Sequence, residues 1–194
     1  IHADSNPLSM FSPESPVHQQ YTNLSKEVAG ACTLETILKL PTSWQDPGTW
    51  PVIEKVVGVL NARSIAVKTI SPLDSLRLLN QWDHGDGVEG YQLPESRREA
   101  ENLIRQVDDV TRDLIKSFSN EDNNEIRIVT FVNEMNSEAF LDYVDEVNHV
   151  LAALPDGYTG YTSGMVLNIV QEQKNLVTQQ YQSFGLAFSV IFLC

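Results

Sequence analysis

Glu125-Ile126-Arg127-Ile128-Val129-Thr130-Phe131-Val132 is the stretch on which the fold turns. Ile126, Ile128, Val129, Phe131 and Val132 crowd it with β-branched and aromatic side chains, which suit a pleated, half-buried surface. Downstream, Phe140, Tyr143, Val144, Val147, Leu151 and Leu154 recur at helical spacing. Pro155-Asp156-Gly157 is a turn, and Tyr158 to Thr162 is a short strand. Residues 125–163 therefore read as strand, helix, strand.

The same order occurs earlier. Cys32, Leu34, Thr36, Leu38 and Leu40 alternate with other residues, as on one face of a strand. Asp46-Pro47 starts a helix with Trp50, Ile53, Val57 and Leu60 on one side, and β-branched residues fill Arg63 to Ile70. A crossover of this kind within one sheet is almost always right-handed. The two units, which share a pattern and not residue identities, predict an α+β fold: a ferredoxin-like split βαβ sheet with two helices on one face. Its strands are expected at about 31–40, 63–70, 125–133 and 157–163.

A helical insertion over 71–124 separates strands two and three. Ser71-Pro72 caps a short helix carrying Leu73, Leu76 and Leu79. Ser96-Arg97-Arg98-Glu99 has the form of a capping box, and the helix after it breaks near Asp108. The two ends complete the division. Residues 1–30 hold a helix that Ser15 caps, Pro16 opens and Gly30 stops, and residues 164–194 form a long helix, polar at first and uncharged after Lys174.

Composition narrows the function. Twenty-six Asp and Glu against 13 Lys and Arg give the 194-residue chain a formal charge of −13. That charge repels nucleic acid and anionic headgroups, so no nucleic-acid partner is expected. The two cysteines, Cys32 and Cys194, are far apart and make neither a CxxC nor a disulfide framework. Asp83-x-x-Asp86-x-x-Glu89, with His84, offers oxygen ligands at close spacing but lacks the full calcium-loop pattern, and reads as a solvated acidic loop. Ser163 lacks the flanking glycines of a nucleophile elbow. The four histidines, at 2, 18, 84 and 149, show no ligand spacing, and His149 reads as a helix-surface residue. Asn23-Leu24-Ser25 is a formal glycosylation sequon of chance type. No catalytic residue, metal or cofactor is expected, and the chain reads as a non-enzyme.

Two apolar features remain. Leu73, Leu76 and Leu79, with Leu103, Val107, Leu114 and Phe118, either pack the insertion onto the core, the commoner outcome, or line an amphiphile path against the sheet. At the far end, Phe184, Leu186, Phe188, Val190, Ile191, Phe192 and Leu193 form an uncharged run too short to span a bilayer by itself. Tyr181 and Phe184 sit where an interfacial aromatic belt is expected. The run reads as the beginning of a membrane helix, and Ile1-His2-Ala3-Asp4 as an entry into a longer chain.

The order of four short motifs then suggests a family. They are Asp4-x-x-Pro7-Leu8-x-Met10-Phe11-x-Pro13-x-Ser15-Pro16-Val17, Ser75-Leu76-Arg77-Leu78-Leu79-Asn80-Gln81, Tyr91-Gln92-Leu93-Pro94-Glu95-Ser96 and Thr159-Gly160-Tyr161-Thr162-Ser163-Gly164. Followed by a polar helix that turns apolar, this order resembles the first large extramembrane loop of resistance-nodulation-division exporters. The similar branch holds the hopanoid transporters and the mycobacterial large membrane proteins, with Patched-like proteins more distant. The resemblance implies a porter-like domain on the periplasmic or extracellular side of the inner (cytoplasmic) membrane, held by flanking helices. It implies an amphiphilic or lipid-like substrate, a second porter-like loop of the same polypeptide as partner, and proton flow through helices outside this segment. A homo-oligomer is compatible with it. Docking of a partner lipoprotein or subunit, or a sterol-sensing Patched-like receptor role, stand as alternatives.

Overall fold

The computed structural model describes residues 12–24, 32–85, 87, 90–133 and 137–193. Eleven elements follow one another: α1 (Pro16–Leu24), β1 (Cys32–Lys39), α2 (Trp50–Leu60), β2 (Ala66–Ile70), α3 (Pro72–Asp83), α4 (Arg97–Gln106), α5 (Asp109–Lys116), β3 (Glu125–Val132), α6 (Ser137–Ala152), β4 (Thr159–Ser163) and α7 (Met165–Leu193). The strands make one four-stranded antiparallel sheet in the order β2-β3-β1-β4. The fold mixes helix and strand as expected.

Alternation in β1 and β3 sorts the sheet into two faces. Cys32, Leu34, Thr36 and Leu38 are buried, as are Ile126, Ile128, Thr130 and Val132. The register pairs Leu34 with Thr130 and Leu38 with Ile126, so these residues share one side. Against that side lie Ile53, Val56 and Leu60 of α2 and Phe140, Tyr143, Val144, Val147 and Leu151 of α6. Helices α2 and α6 touch each other as well as the sheet. Each large apolar side chain removed from water here is worth about 1.5–3 kcal/mol. On the other side, Ile37, Ile70, Val129 and Phe131 are only half-buried, and Tyr161 is exposed.

Several expected boundaries move for local reasons. Strand β2 begins at Ala66, not at 63, because Arg63 opens a turn that Ala66 N–H closes at 3.1 Å. Helix α2 begins at Trp50. Asp46 shapes the turn before it, accepting from Gly48 N–H at 3.0 Å, and does not start the helix. Strand β4 begins at Thr159, since Gly157 adopts φ +87° in the preceding turn, a conformation side chains resist. Leu40 leaves the ladder, and its N–H bonds Asn124 O at 2.7 Å. Gly30 lies outside the described residues. Ser15 does cap α1, through His18 N–H at 3.2 Å.

A tryptophan plug closes one end of the core. Trp44 is 1% exposed and takes Asn123 O through its backbone N–H (2.8 Å) and Asn123 Oδ1 through its indole (3.3 Å). Its own carbonyl accepts the Trp50 indole N–H at 2.9 Å. Asn123 has φ +57°, where Asn is tolerated better than most residues. Across the core, the Tyr143 hydroxyl on α6 donates to Leu60 O at the end of α2, at 2.7 Å.

Burial pushes the Tyr143 phenol up to about 12; Glu146 adds to the rise, and a hydrogen bond with Thr130 works against it. The phenol of the unfolded chain ionises near 10. The folded state thus holds a proton that the unfolded state releases. The stabilisation is complete below pH 10 and is lost as pH climbs through about 12. Tyr143→Phe should lower stability by about 1 kcal/mol at neutral pH. Urea denaturation across the alkaline range should show a shallower decline for Y143F than for the wild type.

Candidate functional site

Helices α3, α4 and α5, between β2 and β3, are fastened individually before they define a cleft. The α3 start is fixed by Asp74, whose carboxylate accepts from Ser71 N–H (2.7 Å) and Ser71 Oγ (2.9 Å). Arg77, one turn on, pairs with Asp74 at 3.3 Å and with Glu54 of α2. The α4 start is capped by Ser96, which accepts from Glu99 N–H at 3.3 Å. The Glu99 carboxylate reaches Glu95 N–H at 2.8 Å, so the expected reciprocal box closes one residue early.

The break near Asp108 is a locked elbow. Asp108 accepts from Thr111 N–H (3.0 Å) and from Thr111 Oγ1 (2.8 Å). Those two donors hold its carboxyl below the ordinary carboxylate range, so the cap is complete above that range and is lost as pH falls through the lowered value. Arg112 folds back over the end of α4. It donates to Val107 O at 2.7 Å, Arg105 O at 3.0 Å and Ile104 O at 3.4 Å, and pairs with Asp109 at 2.8 Å. One guanidinium thus satisfies three carbonyls of the elbow, two of them (Ile104 and Arg105) left orphaned by the helix end.

On the α3 side, Asn80 pins the returning chain. Its Nδ2 donates to Gln92 O at 3.1 Å and Gly90 O at 3.5 Å. Gly90 runs so close to α3 that a Cβ there would meet Gln81 Cα at 3.1 Å.

Between these fastened helices opens a cleft of about 220 Å³, lined by Leu79, Trp82, Asp83, Leu103, Gln106 and Val107. Trp82 is 55% exposed, whereas Trp44 and Trp50 are buried. The path candidates read from sequence divide accordingly. Leu79, Leu103 and Val107 meet at this cleft. Leu73 and Leu76 are core residues with no free surface. Phe118 lines a separate recess of about 150 Å³, with Ile37, Ile126 and Arg127. Leu114 departs from the predicted stripe altogether, at 63% exposed, because the elbow rotates α5 so that Ile115 carries the burial. Trp82 and Gln106 carried no signal in the sequence, and Asp83, expected in an acidic loop, instead ends α3 at the cleft. The Trp continues the Leu73, Leu76, Leu79 series, and nothing in that spacing tells an exposed indole from a buried one.

The other candidate region is the end of α7. Leu167 and Val170 are buried near its start, where the helix packs on β1 and α6. Farther along, Tyr181, Phe184, Leu186, Phe188, Val190 and Phe192 are all more than half exposed. Ile191 and Leu193 belong to the same helix. Gly185 does not interrupt it. Among the described residues, no helix is long and apolar enough to cross a membrane. Asp86 and Glu89 of the acidic loop lie outside the described residues. Among those described, no three His, Cys, Asp or Glu side chains gather to hold a metal.

No protein-family model matches the sequence, and no curated protein matches it.

Removing the elbow clamp should loosen the cleft wall. Arg112→Ala leaves the α4 carbonyls to water and should cost about 2 kcal/mol in urea denaturation. Amide exchange should quicken around 104–108. Arg112→Lys, which keeps the charge but not the fork, should recover less than half of the loss.

Proposed function

We propose that the chain is a porter-like extramembrane domain of an exporter of hydrophobic or lipid-like molecules, of the resistance-nodulation-division type. The strand order β2-β3-β1-β4, with helices α2 and α6 together against one face, supports the finer fold reading: a ferredoxin-like split βαβ sheet with α3, α4 and α5 inserted between the second and third strands. The domain stands on the periplasmic or extracellular side of the inner membrane and acts by lining or gating the substrate path. The cleft wall of Leu79, Leu103 and Val107 belongs to that path. The half-buried sheet face around Ile37, Val129 and Phe131 suits a second porter-like loop as its cover.

One observation carries this reading. The end of α7 exposes apolar side chains at alternate positions, which fall on different sides of a helix, with Phe188 at 59%, Val190 at 56% and Phe192 at 85%, and has no charged residue after Lys174. A helix buried on one side in a protein keeps its apolar residues to a stripe, whereas one surrounded by hydrocarbon has no polar side. The −13 charge of the chain keeps its remaining surface in water.

Flotation with phosphatidylcholine vesicles tests it. The wild-type chain should rise with the vesicles, while Phe188→Asp/Phe192→Asp should stay in solution, since a carboxylate in hydrocarbon costs about 3 kcal/mol. A wild-type chain that ignores the vesicles ends the membrane reading. Native mass spectrometry should also find retained lipid, and delipidated protein that takes up no lipid or hydrophobic probe would remove the path.

A further inference from the structure

The cleft between α3 and α4 has a chemical bias that its apolar wall does not explain. Of the six residues lining it, Asp83 is the one ionisable group, and neither Lys nor Arg is among them. Among the described residues, no protein cation pairs with the Asp83 carboxylate. Beside it stands Trp82, an indole 55% exposed in a chain that buries its other two tryptophans. An open aromatic face beside a solvent-facing carboxylate leaves both free to meet a ligand. An indole face attracts cations through its quadrupole, and more strongly than other aromatic rings do. A carboxylate at the rim adds direct attraction, and the net −13 draws cations toward the surface as a whole. An anionic headgroup would meet repulsion from the same groups. Leu79, Leu103 and Val107 supply the opposite chemistry deeper in the cleft, where methylenes find partners.

We propose that this cleft binds a small cationic amphiphile, with its ammonium head between the Trp82 indole and the Asp83 carboxylate and the first methylenes of its tail on Leu79, Leu103 and Val107. At about 220 Å³ the cleft is smaller than a pocket that encloses a drug-sized molecule, so it takes the head and the near part of the tail, and the rest runs out over the surface. Gln106, exposed and also lining the cleft, carries an amide oxygen that suits the same head. The inference deepens the exporter reading by naming a substrate class.

The test is run on the Phe188→Asp/Phe192→Asp background, in solution, so that failure at the cleft and failure of membrane attachment are read separately. Three probes of equal chain length are compared below their micelle concentrations: decyltrimethylammonium, decyl sulfate and decyl maltoside. The ammonium probe should protect tryptophan emission from acrylamide saturably, because Trp82 is the accessible indole. The sulfate probe should not. Asp83→Asn should weaken the ammonium probe about fivefold, the size of one exposed charge contact, and leave the maltoside unchanged. Trp82→Leu should weaken it by a similar factor when binding is followed by calorimetry. Val107→Trp, which fills the cleft, should abolish binding while the far-ultraviolet circular dichroism stays that of the parent. Equal binding of ammonium and sulfate, an Asp83→Asn variant that keeps full preference, or a folded Val107→Trp variant that binds as the parent does would each overturn the proposal.

Discussion

Strand β1 is paired on both sides, to β3 along its whole length and to β4 along five residues. Its helix-facing leucines, Leu34 and Leu38, have no exposed surface. A shift of one residue in this register would carry them to the other face and bring Glu35 and Lys39 inward, so burial of one face fixes the pairing. The neighbouring features lean on that register. Leu40 leaves the strand onto Asn124, Trp44 plugs the end through Asn123, and Gly164 passes so near that a Cβ would meet Thr33 O at 3.2 Å. Helix α7 departs from that point, anchored by Leu167 and Val170.

Helices α3, α4 and α5 join the same core without widening the sheet. Leu73, Leu76, Leu103, Ile104 and Ile115 belong to one continuous apolar cluster with the sheet residues. What they add is a wall held by polar fasteners at its edges: Asp74 and Arg77 at one end, Asn80 over the returning loop, Asp108 and Arg112 at the elbow. Such fasteners matter because an apolar cleft tends to collapse on itself, and helices free to slide would close it. Charge-assisted bonds from Arg112 to three carbonyls fix the angle between α4 and α5, and so hold Val107 in the cleft wall.

The chain also separates two kinds of surface. Acidic residues spread over the domain, whereas the stretch of α7 after Lys174 carries none. A helix whose first turns are glued to a sheet and whose last turns expose phenylalanines is poorly matched to water along its length. In the membrane reading proposed above, Tyr181 and Phe184 lie near the boundary between water and hydrocarbon.

Much of this was legible in the sequence, because periodicity reports directly on which face of an element is buried. The alternation in 32–40 and the crowding of β-branched and aromatic residues in 125–132 marked the two central strands, and the stripe from Phe140 to Leu151 marked α6. Capping residues at Ser71 and Ser96 placed helix starts within a residue, since an orphan N–H needs a local acceptor, whereas Asp108 marked only a break that the structure turns into the cap of α5. Other matters depended on partners remote in sequence. Strand order and the pairing of Trp44 with Asn123 join segments that no local pattern links. The fate of the apolar residues after the elbow turned on its angle, which hid Ile115, exposed Leu114 and sent Phe118 to another recess. The cleft itself, with Trp82 and Asp83 beside Leu103 and Val107, exists only once α3 and α4 lie side by side. Sequence determines what each side chain would prefer to touch; only packing in three dimensions decides which preferences are met, because two distant segments compete for the same surface and just one arrangement fills it.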